Sequence, residues 1–169
     1  MIGITIAERE KMKSLVKQLL QLLIEKKKTV AFAESVTCGL ATHQLNITEG
    51  TSEVLMGSII CYNEKVKTDI LKIDPSLIEK YTAESQEVTD AMVKNLPALI
   101  KADIYGAITG LCVSGGSENE TKPVGTVFFS LMHNGKLVRQ RKVFMGTPLT
   151  IKKKACEEMY KMIINEFNE

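Results

Sequence analysis

The chain has 169 residues, 22 basic and 20 acidic side chains, a formal net charge of +2, two histidines and four cysteines. This length favours a single domain, residues 1–169, whose core is large enough to fold without disulfides or a structural metal. Because the charges are nearly balanced and aromatic residues are few, the composition argues against a nucleic-acid-binding protein.

The first half of the chain alternates between helical and extended patterns. Apolar residues recur at helical spacing over residues 7–27, which predicts an amphipathic helix that ends in a lysine run. The apolar run at 29–34 favours β-structure and is too short for a helix, so it predicts a buried strand. The elements predicted next are a helix at 40–46, a turn at 50–53, a strand at 54–62, and short helices at 63–72 and 75–81.

The second half of the chain contains fewer helices and a hairpin signal. The loop after Gly110 is rich in glycine, serine and asparagine, and Asn134-Gly135 predicts a hairpin between the last two strands. The predicted elements are a helix at 86–101 that Pro97 kinks or restarts, strands at 104–109, 124–132 and 136–144, and a helix at 149–167. Together these elements predict an α/β domain, a three-layer α/β/α sandwich with a mostly parallel sheet and an antiparallel edge hairpin.

The amino-terminal segment, the cysteines and the histidines exclude several classes of protein. Acidic residues lie where a secretory signal peptide has its apolar core, and no apolar run approaches a membrane span of roughly 18 residues. The cysteines form no C-x-x-C pair, and His43 and His133 are isolated, so neither a metal site nor a redox motif is expected. The sequence therefore predicts a cytoplasmic protein with reduced cysteines and no membrane contact.

The turn that follows the first predicted strand, residues 34–39, is a candidate active-site turn. Ser35 and Thr37 place hydroxyl groups beside backbone N–H groups at a helix start, where negative charge is stabilised. This arrangement suits an oxyanion or a phosphate, although either residue can simply cap the helix. Cys38 in the same turn is a candidate reactive thiol or a small apolar side chain.

Two lysines, Lys65 and Lys67, follow the second predicted strand. A lysine whose pKa is lowered by burial can act as the general base for a serine nucleophile. The alternative is that both lysines are solvated positions on the first turn of a helix. The spacing of the residues alone leaves both interpretations open.

A third candidate place is the loop that begins at Thr109-Gly110 and contains Ser114-Gly115-Gly116-Ser117. Glycine-rich loops that follow strands can surround a phosphate with backbone amides. The alternative is an ordinary surface loop. In an open α/β sheet, all three places lie at the carboxyl ends of strands, where ligands bind.

Five segments, in the same order, give the chain a resemblance to the CinA C-terminal domain family, the nicotinamide-nucleotide amidohydrolases, in a stand-alone form. The resemblance covers nearly the whole chain from about Val16. The matching segments are 33–39 against A-E-S-C-T-G-G, 50–52 against G-[ST]-S, 62–67 against Y-S-N-E-x-K, 109–117 against T-G-I-A-G-P-x-G-G, and 122–127, which keeps K-P-V-G-T-V intact.

The resemblance implies hydrolysis of a carboxamide, in which nicotinamide mononucleotide and water give nicotinic acid mononucleotide and ammonia. It implies Ser35 as the nucleophile and Lys67 as its base, with Tyr62 orienting the lysine or donating a hydrogen bond. Backbone N–H groups near Cys38 and Gly39 would hold the tetrahedral oxyanion. The scarcity of histidine agrees with a lysine base.

The same resemblance implies a small-molecule partner, a pyridine nucleotide or a related amide, and a homo-oligomer, with a dimer favoured. It implies that no metal or organic cofactor is needed. The residues implied for substrate binding are Glu34, Thr37, Gly39, Ser52, Thr109, Gly110 and Lys152.

One departure from the family pattern affects the expected substrate. Where the family has F-x-G-[DE]-R, the chain has Phe144-Met145-Gly146-Thr147-Pro148, so proline replaces an arginine expected to bind substrate. Proline cannot pair with a phosphate, and Lys152, Arg139 or Arg141 would have to take over that contact. An alternative function is therefore a silent or substrate-shifted relative that binds a nucleotide-like ligand or a protein partner.

Overall fold

Six α-helices and five β-strands make up residues 6–168, the part of the chain that the computed structural model describes, apart from the side chain of Glu8. The helices are Ile6–Lys26 (α1), Leu40–Asn46 (α2), Glu64–Asp69 (α3), Pro75–Tyr81 (α4), Gln86–Asn95 (α5) and Pro148–Glu166 (α6). The strands are Val30–Glu34 (β1), Leu55–Ile60 (β2), Ile104–Gly110 (β3), Thr126–His133 (β4) and Lys136–Val143 (β5).

Two segments differ from the sequence-based expectation, and both differences have a local cause. The helix predicted over 86–101 stops at Asn95, and a 3-10 turn at Leu96–Ala98 follows, because Pro97 has no N–H to continue an α-helix. The turn predicted at 50–53 includes a 3-10 helix at Thr51–Glu53, which begins after Gly50 in a left-handed conformation.

The five strands form one sheet in the order β2-β1-β3-β4-β5. β1 pairs in parallel with both β2 and β3, whereas β4 is antiparallel to β3 and to β5. Four strands therefore run in one direction, and the β4–β5 hairpin forms one edge. This arrangement confirms the predicted mixed α/β sheet with an antiparallel edge hairpin.

The sheet is covered by helices on both faces, because successive residues of a strand point to opposite sides. In β1, Val30 and Phe32 pack into one core with α1, α2 and α6. Ala31 and Ala33 pack into a second core with residues of α4, α5 and the segment after α3. The two cores give the predicted three layers.

The register of the parallel strands brings their carboxyl ends to one edge of the sheet. Glu34, the last residue of β1, pairs with Ile60 of β2 and with Ile108 of β3. The segments that follow these strands, beginning at Ser35, Cys61 and Leu111, consequently leave the sheet side by side. This edge holds the candidate functional residues.

Within residues 6–168, no helix combines the length and apolar character that crossing a membrane requires. Residues 1–5, on which part of the signal-peptide argument rests, lie outside the described residues.

Candidate active site

Ser35 is the first residue after β1 and is held in place by the sheet. Its backbone N–H donates to Ile108 O of β3 at 2.9 Å. Because it continues the alternation of Ala31 and Ala33, its side chain points to the sheet face that carries α3, α4 and α5. Ser35 is 5% exposed, so its side chain is almost completely buried at this edge of the sheet.

Lys67 approaches Ser35 from α3, and it is fully buried. The Asn63 side chain caps this short helix by accepting the N–H of Lys65 at 2.9 Å. Lys67 Nζ lies 3.1 Å from Ser35 Oγ and donates to Cys61 O at 2.8 Å. Lys65, the other lysine that the sequence left open, is exposed.

Burial lowers the pKa of Lys67, because an ammonium group loses hydration in the interior. Negative charge on Cys61, Glu84 and Glu64 acts in the opposite direction. Burial also raises the pKa of Cys61 to about 11, so its thiol is protonated near neutral pH and carries no charge. Near neutral pH, the negative charges that raise the pKa of Lys67 are therefore those of Glu84 and Glu64.

The turn between Ser35 and α2 is tightly wound. Cys38 and Gly39 both have positive φ angles, 50° and 88°. The N–H of Cys38 donates to Ser35 O at 3.2 Å, so this N–H is already used within the turn. A Cβ at Gly39 would lie 3.0 Å from Ile60 Cδ1. Thr37 Oγ1 is buried and has no hydrogen-bond partner among the described residues.

Glu34 has a different role from the substrate contact that the resemblance implied. Its side chain points to the opposite face from Ser35 and is fully buried. One carboxylate oxygen accepts the N–H of Ala41 at 3.1 Å, and the other accepts the N–H and the hydroxyl of Thr42 at 3.0 and 2.6 Å. Glu34 thus stabilises the first turn of α2 and leaves no oxygen free for a ligand.

Thr109 and Gly110 lie at the carboxyl end of β3, on the same edge as Ser35. The Thr109 hydroxyl is buried and shares a 2.7 Å hydrogen bond with the hydroxyl of Thr89 on α5. A Cβ at Gly110 would lie 2.5 Å from Thr126 O, so the strand tolerates only glycine there.

The structure does not bring three other expected residues to the Ser35–Lys67 pair. Tyr62 points its ring outward, with 69% exposure, and only its backbone O lies near Lys67 Nζ, at 3.4 Å. Ser52 precedes β2 and is exposed at the opposite edge of the sheet, because Leu55 pairs with Val30 at the start of β1. Lys152 lies on α6, which covers the other sheet face.

The two arginines considered as substitutes for the family arginine are engaged elsewhere. Arg139 pairs with Asp90 at 2.6 Å, and Arg141 donates to Thr121 O. Both lie on β5, the edge strand farthest from β2.

Lys122, Glu84 and Ser117 form a polar network that no single sequence motif predicts. Lys122 is 9% exposed, and its Nζ donates to Thr82 Oγ1 at 2.7 Å, Glu84 O at 3.0 Å and Ser117 Oγ at 2.8 Å. Ser117 Oγ donates to the Glu84 carboxylate at 2.5 Å. The intact K-P-V-G-T-V segment marked Lys122, whereas no pattern in the sequence marks Glu84.

This network borders a cleft of about 760 Å³ between α3, the α4–α5 connection and the glycine-rich loop. The cleft is lined by side chains that flank Lys67 on α3, by Glu84 and by the loop. The charged residues of its lining are three carboxylates, Glu64, Glu79 and Glu84, and one lysine, Lys65. Within residues 6–168, no three His, Cys, Asp or Glu side chains gather as a metal site would require.

Comparison with known proteins identifies the same family from a family model and from individual relatives. The CinA C-terminal domain family matches residues 12–167. A CinA-like protein of Thermotoga neapolitana is 38% identical over 149 residues, which are 87% of this chain and 35% of that protein. A CinA-like protein of Prochlorococcus marinus subsp. pastoris is 36% identical over 130 residues, 76% of this chain and 30% of that protein. The chain thus spans about a third of the length of these relatives.

A solved structure shows the same fold. The crystal structure of the competence damage-inducible protein A from Klebsiella pneumoniae superposes with a TM-score of 0.89, covering 94% of this chain and 98% of that chain. The two sequences are 23% identical, so this likeness establishes the fold alone.

Proposed function

The chain belongs to the CinA C-terminal domain family, and on that premise we propose that it hydrolyses the carboxamide of a pyridine nucleotide. The proposed substrate is nicotinamide mononucleotide, and the products are nicotinic acid mononucleotide and ammonia. The observation that carries the proposal is the 3.1 Å distance between Ser35 Oγ and the buried Lys67 Nζ.

The surroundings of Lys67 suit a neutral amine that accepts a proton. A neutral amine has two N–H donors and one lone pair, and the carbonyl oxygens of Cys61 and Tyr62 lie 2.8 and 3.4 Å from Nζ. When both N–H groups point to these carbonyls, the lone pair faces the Ser35 hydroxyl. Burial lowers the pKa of Lys67, which increases the neutral fraction near neutral pH.

The proposed reaction has two steps through a serine ester. Ser35 Oγ attacks the amide carbon while Lys67 takes the hydroxyl proton, and the tetrahedral intermediate then expels ammonia with that proton. Water, activated by Lys67, next attacks the ester carbon, releases the carboxylic acid and returns the proton to Ser35. The backbone N–H groups of Val36, Thr37 and Gly39 are the candidate donors for the oxyanion, since that of Cys38 already donates to Ser35 O.

The charge around Lys67 favours a substrate with a positive ring. Glu64 and Glu84 act on Lys67 and line the adjoining cleft. A pyridinium ring next to the reacting carboxamide carries a positive charge that these carboxylates would stabilise. Nicotinamide nucleotides have this charge, whereas free nicotinamide does not.

Ammonia release from nicotinamide mononucleotide tests the proposal. We expect Ser35→Ala and Lys67→Ala each to lower kcat/KM about a thousandfold or more, because each removes a reacting group. Lys94→Ala is the matched control and keeps most of the activity, since Lys94 is exposed on α5 and lies outside the cleft. A rate that Ser35→Ala leaves unchanged would overturn the mechanism.

Pro148 supports a second candidate function, a relative that binds a nucleotide-like ligand without hydrolysing it. Pro148 is the first residue of α6, where the resemblance implies an arginine. A thermal-shift comparison separates the two functions. Ligand stabilisation that survives Ser35→Ala and Lys67→Ala, with no ammonia from any pyridine amide, would favour the silent relative. The homo-oligomer implied by the family also stays a prediction, to be measured by analytical ultracentrifugation.

A further inference from the structure

The tip of the glycine-rich loop, residues 111–125, holds a carboxylate with two backbone N–H groups. Gly115 N donates to Glu118 Oε1 at 2.7 Å, and Gly116 N donates to Glu118 Oε2 at 2.8 Å. Gly115 has a φ of 92°, a conformation that favours glycine. Consecutive N–H groups that converge on one anion form a backbone nest, a known geometry for binding phosphate and carboxylate groups.

The group in this nest is an anion and can be exchanged. Hydrogen bonds from the backbone N–H groups of Gly115, of Glu118 itself and of Gly116 lower the pKa of Glu118, so its side chain is ionised at neutral pH. The nest donors belong to the backbone and stay in place, whereas the Glu118 side chain can rotate away. The region around Gly115 is also open, since a Cβ added there would meet no atom within 4 Å.

The nest and α3, the helix that carries Lys67, border the same cleft. Gly115, Gly116 and Ser117 line it on one side, and Glu64 and Thr68, which flank Lys67 on α3, line it on the other. Its volume of about 760 Å³ is in the range of small-molecule sites. A ligand in this cleft can therefore reach the nest with one end and contact α3, the helix that carries Lys67, with the other.

The base of the loop fixes the nest relative to the sheet. Lys122 Nζ donates a hydrogen bond of 2.8 Å to the Oγ of Ser117, the residue that follows Gly116. Since Lys122 already donates to three acceptors, it contributes charge near the nest and no further hydrogen bond. The N–H groups of Gly115 and Gly116 are therefore donors that an incoming anion can use once Glu118 has left.

We propose that the N–H groups of Gly115 and Gly116 form the subsite for the anionic end of the substrate, a phosphate group, and that the Glu118 carboxylate occupies this subsite until the phosphate displaces it. The catalytic consequence rests on the proposed amide hydrolysis. This subsite gives the chain a phosphate contact that does not depend on an arginine at position 148. Glu64, Glu79 and Glu84 line the rest of the cleft, where the positive ring would lie.

Titration with inorganic phosphate at constant ionic strength tests the subsite without any reaction. The variant Glu118→Ala removes the internal competitor, and Glu120→Ala removes the same charge from an exposed position in the same loop. We expect Glu118→Ala to bind phosphate about fivefold or more tightly than the parent protein, and Glu120→Ala to resemble the parent.

Two results of the phosphate titration would overturn the proposal. One is an equal gain in Glu118→Ala and Glu120→Ala, which would mean that only net charge matters. The other is unchanged or weaker binding in Glu118→Ala and also in Glu118→Gln, a variant that preserves the size of the side chain. In that case, Glu118 only stabilises the loop.

Kinetics with two amides then test the role of the subsite in hydrolysis. We expect Glu118→Ala to lower KM for nicotinamide mononucleotide and to leave KM for nicotinamide riboside, which lacks the phosphate, unchanged. Equal effects on both substrates would overturn the catalytic role of the nest. If neither amide is hydrolysed, the proposed function fails, and the phosphate titration still decides the subsite.

Discussion

At the scale of single residues, the chemistry of the site depends on how one lysine is buried. Lys67 is fully buried beside a serine hydroxyl and two backbone carbonyls. Loss of hydration favours its neutral form, and the charges of Glu84 and Glu64 restrain that effect. The balance between burial and these carboxylates therefore sets the pH at which Lys67 can accept a proton.

The pH profile of kcat/KM should report this balance. The rate should rise as Lys67 loses its proton, with a midpoint below the ordinary lysine pKa of 10.5. Glu84→Gln removes a negative charge that stabilises the ammonium form, so it should move the rising limb to lower pH. Glutamine keeps an acceptor for Ser117 Oγ, which preserves the local hydrogen bond.

Glu87→Gln, an exposed change on α5, is the matched control for Glu84→Gln and should leave the rising limb where the parent protein has it. A shift of that limb to higher pH in Glu84→Gln would contradict the assignment of Lys67 as the base.

The lowered pKa of Lys67 should also make the free energy of unfolding depend on pH. Because the pKa of Lys67 is lower in the folded state than in the unfolded state, a buried ammonium opposes folding below the folded-state pKa. That cost falls as the pH rises from the folded-state pKa towards 10.5 and is gone above 10.5, where Lys67 is neutral in both states. Lys67→Met removes the ionisable group and so has no such cost.

Denaturant unfolding of the parent protein and Lys67→Met at several pH values measures this effect. The difference in free energy of unfolding should move in favour of the parent as the pH rises from 7 to about 10. A difference that is independent of pH would show that burial does not change the pKa of Lys67.

At the scale of elements, the glycine-rich loop is closed at its base by contacts that only glycine permits. Leu111 N donates to Thr126 O at 2.9 Å, and Gly125 N donates to Leu111 O at 2.7 Å. A Cβ at Gly125 would overlap the carbonyl oxygen of Phe144. The position of the nest near the cleft therefore depends on a backbone contact at the other end of the loop.

A pair of glycine variants separates the stability loss caused by this overlap from the loss caused by a positive φ angle. Gly125 and Gly135 both have positive φ angles, 97° and 77°, but a Cβ at Gly135 would meet no atom within 4 Å. Gly135→Ala should cost roughly 1 kcal/mol from strain alone, and Gly125→Ala about 2 kcal/mol more, since backbone must move. Chemical denaturation measures both, and equal losses would contradict the overlap.

At the scale of the whole molecule, the sheet edge that holds Ser35 is connected to the layer on the other side of the sheet. Tyr160 of α6 is fully buried, and its hydroxyl donates to Ala41 O at 2.5 Å, across 119 residues of sequence. Ala41 N in turn donates to Glu34, the residue that precedes Ser35. The position of Ser35 thus depends on packing in both layers.

Tyr160→Phe tests this connection by removing one hydroxyl. We expect a loss of about 1 kcal/mol in the free energy of unfolding, because Ala41 O loses its side-chain donor. For a chain of this size, the midpoint of thermal unfolding should fall by about 2–4 °C. An unchanged midpoint would show that the hydrogen bond contributes nothing to stability.

The sequence alone determined the order of the elements and the segments that meet at the site. Apolar periodicity and turn residues depend on neighbours in the chain, so the strands, the hairpin at Asn134-Gly135 and the restart at Pro97 could be predicted. The motif resemblance added Ser35, which directly follows β1, and Lys67, which lies on α3, the helix that follows the adjacent parallel strand β2.

Only the tertiary structure decided what each polar residue contacts. Glu34 caps α2 because strand alternation turns it away from Ser35, and Ser52 lies at the opposite sheet edge because it precedes β2. Glu84 and Glu118 were not identified from the sequence. The contact of Glu84 with Ser117 forms because the glycine-rich loop folds back towards the α4–α5 connection. The contacts of Glu118 are with backbone N–H groups of the same loop. Local patterns specify elements, whereas burial and hydrogen-bond partners depend on strand order and register, which bring together residues far apart in the chain.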